Sequence, residues 1–148
     1  MKKILIVDDQ PGIRELLKVT LELEDYQLLF AESAQQSFDL AHTERPDIIL
    51  LDIMMPEGEL DGLEVCRQLK ADPITSRITV FLLSAKGQRR DIEAGLMAGA
   101  DGYITKPFSP MALMEKIQQA LQNRDDNPLY IIAPIIMQQQ FNALSSRR

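Results

Sequence analysis

A doubly wound α/β domain built on one parallel sheet is predicted by three features of this sequence. Ile4 to Val7, Ile48 to Leu51 and Thr79 to Leu83 are nearly uninterrupted apolar runs, which is how strands buried on both faces of a parallel sheet read. Amphipathic helical patterns separate these runs, as βαβ units require. Each run ends abruptly in polar side chains, Asp8-Asp9, Asp52 and Ser84, and the carboxyl edge of an open α/β sheet is where ligands bind.

The elements follow in order. Strand one, Ile4 to Val7, stops at Asp8-Asp9, and Pro11-Gly12 punctuates before a helix with Ile13, Leu16, Leu17 and Leu21 at helical spacing, running to about Glu24. Tyr26 to Ala31 is a short second strand. Ser33 with Gln36 three residues on is a capping-box signature, and the helix it opens extends to about Glu44. Arg45-Pro46 ends that helix and starts the organising stretch, Asp47 to Pro56, in which four apolar residues run into Asp52. An acidic loop, Glu57 to Gly62, leads to a helix from about Leu63 to Ala71, with Leu63, Cys66 and Leu69 as inner positions; Asp72-Pro73 closes it. The run from Thr79 ends in Ser84-Ala85-Lys86, and Ile92, Leu96 and Met97 mark the next helix. Tyr103 to Thr105 is a final short strand delivering Lys106-Pro107. Ser109-Pro110 then opens a helix carrying Leu113, Ile117 and Leu121.

At 148 residues the chain suits one domain with a hydrophobic core and is short for two. A net charge of -6 and the lack of a Lys/Arg stripe on any predicted helix remove the electrostatic footprint of direct DNA binding. Cys66 is the lone cysteine, so no internal disulfide forms, and early acids exclude a signal peptide. The apolar run Leu129 to Met137 spans nine residues with a proline inside, against the ~20 that a membrane helix needs. A cytoplasmic protein with no membrane segment is the expectation.

Five strands in a flavodoxin-like doubly wound (βα)5 sandwich, three layers deep with strand order 2-1-3-4-5, accommodate this pattern. The topological switch point then lies between strands one and three, where Asp8, Asp9 and Asp52 meet. Three carboxylates packed together repel unless a cation compensates, and hard oxygen ligands suit Mg²⁺. Lys106 brings a fixed positive charge and Ser84 a hydroxyl, the donors that stabilise phosphoryl oxygens. Asp52 is then the nucleophile.

With these residues in view, the chain resembles the receiver domain of bacterial two-component response regulators from about Lys2 to Asn123. The likeness rests on Asp8-Asp9, Asp52 with Met55-Pro56, Asp61-Gly62, Ser84-Ala85 and Lys106-Pro107-Phe108. It implies a phosphoacceptor Asp52, charged by a sensor histidine kinase, a phosphotransfer protein or a small phosphodonor. It also implies Mg²⁺ held by Asp9, Asp52 and the main-chain carbonyl of Met54, with Asp8 bonding through water, and a cis Lys106-Pro107 bond. Ser84 and Tyr103 are the switch residues it implies, the hydroxyl moving toward the phosphoryl group and the ring swinging inward. Relative to the family's spacing, the loop before Asp61-Gly62 is two residues longer and adds Glu57 and Glu59.

Rival readings are weighed on the same residues. A phosphatase of the haloacid dehalogenase type also uses a strand-end aspartate with Mg²⁺, but its second aspartate is replaced here by Met54. A dinucleotide site needs a Gly-rich turn where Asp8-Asp9-Gln10 stands. A phosphorylation-independent interaction module on the same fold is opposed by the intact set of Asp8, Asp9, Asp52, Ser84 and Lys106. Asp8-Asp9 could also cap the first helix. Cys66 reads as a small buried hydrophobe and His42, the only histidine, as a surface helix residue. The expected protein is thus a phosphoacceptor rather than a turnover enzyme, with a domain over residues 1–123 and a tail over 124–148. That tail is too short for an output domain, so an unknown downstream protein is the expected target. Its apolar residues, Tyr130 to Ile132 and Ile135 to Met137, would pack on the domain itself, form a homodimer or partner contact, the last helices being the other dimer surface, or belong to a longer parent chain.

Overall fold

Parallel strands can be joined only by crossovers, and helices supply them here. The chain order is β1 (Lys2–Val7), α1 (Pro11–Leu21), β2 (Tyr26–Ala31), α2 (Ala34–Glu44), β3 (Ile48–Asp52), α3 (Gly62–Ala71), β4 (Thr79–Ser84), α4 (Arg89–Met97), β5 (Gly102–Thr105) and α5 (Pro110–Asp126). The computed structural model describes residues 1–55 and 60–126. Expectations placed on Glu57, Glu59 and the apolar tail fall outside the described residues.

All strand pairs are parallel and the sheet order is 2-1-3-4-5, as the alternating pattern predicted. Successive side chains of a strand point to opposite faces, and here both faces are covered. Leu5, Val7, Ile49, Leu51 and Leu82 pack with Ala34 and Ala41 of α2 and Val65 and Leu69 of α3. Ile4, Ile6, Ile48, Leu50 and Leu83 pack with Leu17 and Leu21 of α1 and Leu113 and Ile117 of α5. Burial of each such aliphatic contributes about 1.5–3 kcal/mol, so the uninterrupted apolar runs are what holds the central strands in place. No helix among the described residues is long and apolar enough to cross a membrane.

Several boundaries differ from the sequence pattern for physical reasons. The first helix ends at Leu21 rather than near Glu24; Glu22, Glu24 and Asp25 place negative charge where the helix dipole disfavours it. The capping box of α2 is half formed: Ser33 Oγ accepts from the Gln36 N–H at 3.1 Å, whereas Gln36 Oε1 accepts from the Glu32 N–H at 3.0 Å, one residue before the cap. Arg45 closes α2 in the left-handed region, φ 45 and ψ 63. On α4 the buried residue is Gly95, while Met97 is exposed. A Cβ at Gly95 would lie 2.8 Å from the Tyr103 ring and 2.9 Å from Leu82, so this helix sits close on the sheet through its glycine. Finally, α5 runs through residue 123, the expected domain boundary. Arg124 lies within it and donates to the carbonyls of Asp47 and Arg77 and to Thr79 Oγ1.

Candidate functional site

Strand register assembles the site. Val7 pairs with Leu51, Asp52 with Leu83, and Ser84 with Thr105. The residues just past those pairs, Asp8-Asp9 and Lys106, therefore emerge beside Asp52 and Ser84 at the carboxyl edge. Lys106 Nζ lies 3.1 Å from Asp8 Oδ2 and 3.3 Å from Asp52 Oδ2. Asp8, Asp9 and Asp52 each offer a carboxylate oxygen within 4.8 Å of the others. Asp8 and Asp52 are buried and Asp9 is exposed, so the cluster opens to solvent on the Asp9 side. The Lys106-Pro107 peptide is cis, as expected from the resemblance.

The two buried carboxylates, those of Asp8 and Asp52, are each held by a backbone N–H. Asp8 Oδ1 accepts from the Gln10 N–H at 2.9 Å and Asp52 Oδ1 from the Met54 N–H at 3.0 Å. Neither aspartate of the first turn caps α1, whose N-cap is Gln10 with Pro11 following. Burial and the nearby Asp8 charge raise the Asp52 pKa above the usual carboxylate range, against the lowering effect of the Met54 N–H and Lys106. One ammonium thus balances only part of the negative charge held at this edge.

Asp61 and Gly62 have separate structural tasks. The Asp61 side chain caps α3 by accepting from the Glu64 N–H at 2.9 Å. Gly62 lies against the end of β3: a Cβ there would press on the carbonyl oxygen of Asp52 and sit 2.6 Å from Ile53 Cα. Its missing side chain lets α3 start directly on the strand that carries Asp52.

Ser84 and Tyr103 meet at one residue that the sequence did not single out for this purpose. Ser84 Oγ accepts from the Lys86 N–H at 3.0 Å, and the Tyr103 hydroxyl donates to the Lys86 carbonyl at 2.6 Å. A cleft of about 140 Å³ lies beside them, lined by Met54, Lys86, Ala94 and Tyr103 among others. His42 lies on α2 with 37% of its side chain exposed, the surface helix position expected, and it makes two contacts there. Its Nε2 lies 2.6 Å from Asp72 Oδ2 and its Nδ1 2.7 Å from the Phe38 carbonyl, tying α2 to the end of α3. An acid 30 residues away gives no local sequence signal. Cys66 is fully buried, and burial pushes its thiol up to about 12, in keeping with a packing role.

The sheet order and this strand-end constellation are those of a receiver domain, and the chain belongs to the response regulator receiver domain family, which matches residues 4–118. Among curated relatives, the phosphate regulon transcriptional regulatory protein of Pseudomonas aeruginosa is 45% identical over 121 residues, which cover 82% of this chain and 52% of that protein. The alkaline phosphatase synthesis transcriptional regulatory protein of Bacillus subtilis is 40% identical over 124 residues, 84% of this chain and 50% of that protein. The chain therefore spans about half the length of the curated relatives it matches. Among solved structures, the signal receiver domain of a signal transduction histidine kinase from Syntrophus aciditrophicus aligns with a TM-score of 0.78 at 35% identity, covering 86% of this chain and 95% of that one. A CheY-like receiver domain protein from Methanospirillum hungatei aligns with a TM-score of 0.77 at 30% identity, covering 84% and 97%.

Proposed function

We propose that the chain accepts a phosphoryl group on Asp52 in a His-Asp phosphorelay and signals through a phosphorylation-dependent surface to a protein partner. The observation that carries this reading is the convergence of Asp8, Asp9, Asp52 and the Lys106 ammonium at the switch point of a parallel sheet. In the transfer an Asp52 carboxylate oxygen attacks phosphorus. The P–N bond of a phosphohistidine, on a sensor histidine kinase or phosphotransfer protein, breaks as the P–O bond forms. The leaving group keeps the bonding pair and takes its proton from solvent. Lys106 meets the charge on the incoming phosphoryl oxygens, and Ser84 supplies a hydroxyl donor once it leaves the Lys86 N–H.

The carboxylate cluster fits Mg²⁺. Its oxygens are hard ligands and they lie within one ion's reach of each other; after burial it is the Asp8 charge that raises the Asp52 pKa, a repulsion that a dication relieves. Asp8, Asp9 and Asp52, with the Met54 carbonyl, would hold it, and bound Mg²⁺ supplies neutralisation of phosphoryl charge. The new charge of about -1.5 to -2 competes for Ser84 and Lys106. That frees Tyr103 from the Lys86 carbonyl to move into the neighbouring cleft, and the β4, α4 and β5 surface changes with it. No turnover of an external substrate belongs to this reading.

Intact mass after incubation with acetyl phosphate, with and without Mg²⁺, tests it. A single Mg²⁺-dependent adduct of about 80 Da, one phosphoryl group, is expected on the wild type and not on Asp52→Asn. An adduct of equal yield on Asp52→Asn would refute the assignment.

A further inference from the structure

We infer that Arg14 is a positioning residue for the cation site, holding the peptide that joins Asp8 to Asp9; the inference rests on the Mg²⁺ reading above. Arg14 lies in the first turn of α1. Its Nη1 donates to the main-chain carbonyl of Asp8 at 2.7 Å, and its Nη2 pairs with Glu32 Oε1 at 3.2 Å. The guanidinium is largely shielded, with 18% of the side chain exposed. One fork thus bridges the turn after β1 and the turn after β2.

The acceptor is what gives this contact its consequence. The Asp8 carbonyl belongs to the Asp8–Asp9 peptide plane, so fixing it fixes ψ of Asp8 and φ of Asp9, the two torsions that set the direction of one carboxylate relative to the other. The Asp8 side chain has anchors of its own, the Gln10 N–H and Lys106. The exposed Asp9 carboxylate has no hydrogen-bond partner among the described residues, so its place in the cluster depends on the backbone. The turn is held from two sides, by the Asp8 N–H on the Ala31 carbonyl at 3.2 Å and by Arg14. Glu32 holds the second arm of the fork, and its own N–H is bound by Gln36 Oε1 of α2. Groups that orient metal ligands in this way commonly change metal affinity about ten- to hundredfold when removed.

The sign separates positioning from charge. Deleting a cation near a dication site tightens dication binding if only the field matters; deleting the clamp weakens it. Arg14→Lys keeps the charge and loses the fork.

The test is calorimetric titration of the full chain with MgCl₂ for wild type, Arg14→Ala and Arg14→Lys, with circular dichroism and melting at saturating Mg²⁺ to confirm the fold. Both variants are expected to bind Mg²⁺ at least about tenfold more weakly than wild type while keeping its spectrum. If Arg14→Ala does not fold, Arg14→Lys carries the comparison. Affinity in either folded variant equal to or tighter than wild type overturns the proposal while leaving the cation site in place. A wild-type chain that binds no Mg²⁺ overturns the cation reading, and the proposal with it.

Discussion

Replacing Gly62 with alanine tests how closely α3 must approach the strand that carries Asp52. The added Cβ would stand 2.6 Å from Ile53 Cα and 2.9 Å from the Asp52 carbonyl carbon, and closer still to the Asp52 carbonyl oxygen. Ordinary contact begins near 3.4 Å, and the three nearest atoms are all backbone, so no side chain can rotate away. The Gly62 N–H meanwhile donates to the Ile53 carbonyl at 2.8 Å, which pins the helix at the distance the methyl group forbids. Overpacking of this kind costs about 1–3 kcal/mol and the strained hydrogen bond about 1 kcal/mol. The better helix propensity of alanine returns up to about 1 kcal/mol. The balance is a loss of about 2 kcal/mol, a fall in Tm of about 8 °C for a domain of this size, read by far-UV circular dichroism. A displacement of β3 relative to Lys106 should also slow acquisition of the phosphoryl adduct at least about tenfold, since misplacement by about 1 Å is severe for transfer chemistry. A variant that melts at or above the wild-type temperature with an unchanged adduct rate would refute the close-approach argument. The φ of Gly62 is not positive, so conformational freedom offers no second explanation.

Without Mg²⁺, Asp52→Asn should melt above wild type at pH 7. The folded Asp52 pKa is raised by burial and by Asp8, so the unfolded chain ionises first and wild-type stability falls as pH rises from about 4; melting curves in EDTA from pH 4 to 8 should show the gap widening upward, and a constant gap would contradict it. For His42, the Phe38 carbonyl and Asp72 raise the pKa, with a smaller contribution from the Asp39 charge, and for Asp72 the bond to His42 lowers it. The histidine contribution is present below its unfolded value of about 6.5 and lost as pH rises through the folded value, whereas that of Asp72 is lost as pH falls through its own lowered value. His42→Asn should therefore lose most Tm relative to wild type between about pH 4 and 6.5 and converge with it above pH 8, and an equal loss at both ends would show that the pair is not titrating.

The local chain carried a great deal of this. Each apolar run is buried because a central parallel strand has no solvent face, so Ile48 to Leu51 announced β3 and the count of strands announced the sheet. The strand-end residues Asp8, Asp9, Asp52, Ser84 and Lys106 were legible because a polar group at the end of such a run must emerge at one edge, and topology leaves them a single meeting point. Helix ends were less legible: α1 stops early where acids oppose its dipole, and α4 turns Gly95 inward because the Tyr103 ring already fills the space a side chain would need. What the sequence by itself determined is the set of buried strands and the chemistry at their ends, since burial and charge are properties of residue type. What only the tertiary structure decided is which distant groups meet: Arg14 with the Asp8 carbonyl and Glu32, His42 with Asp72, and Ser84 and Tyr103 with the two sides of Lys86. Such pairings depend on helix docking and strand register, distances that no local pattern of residues encodes.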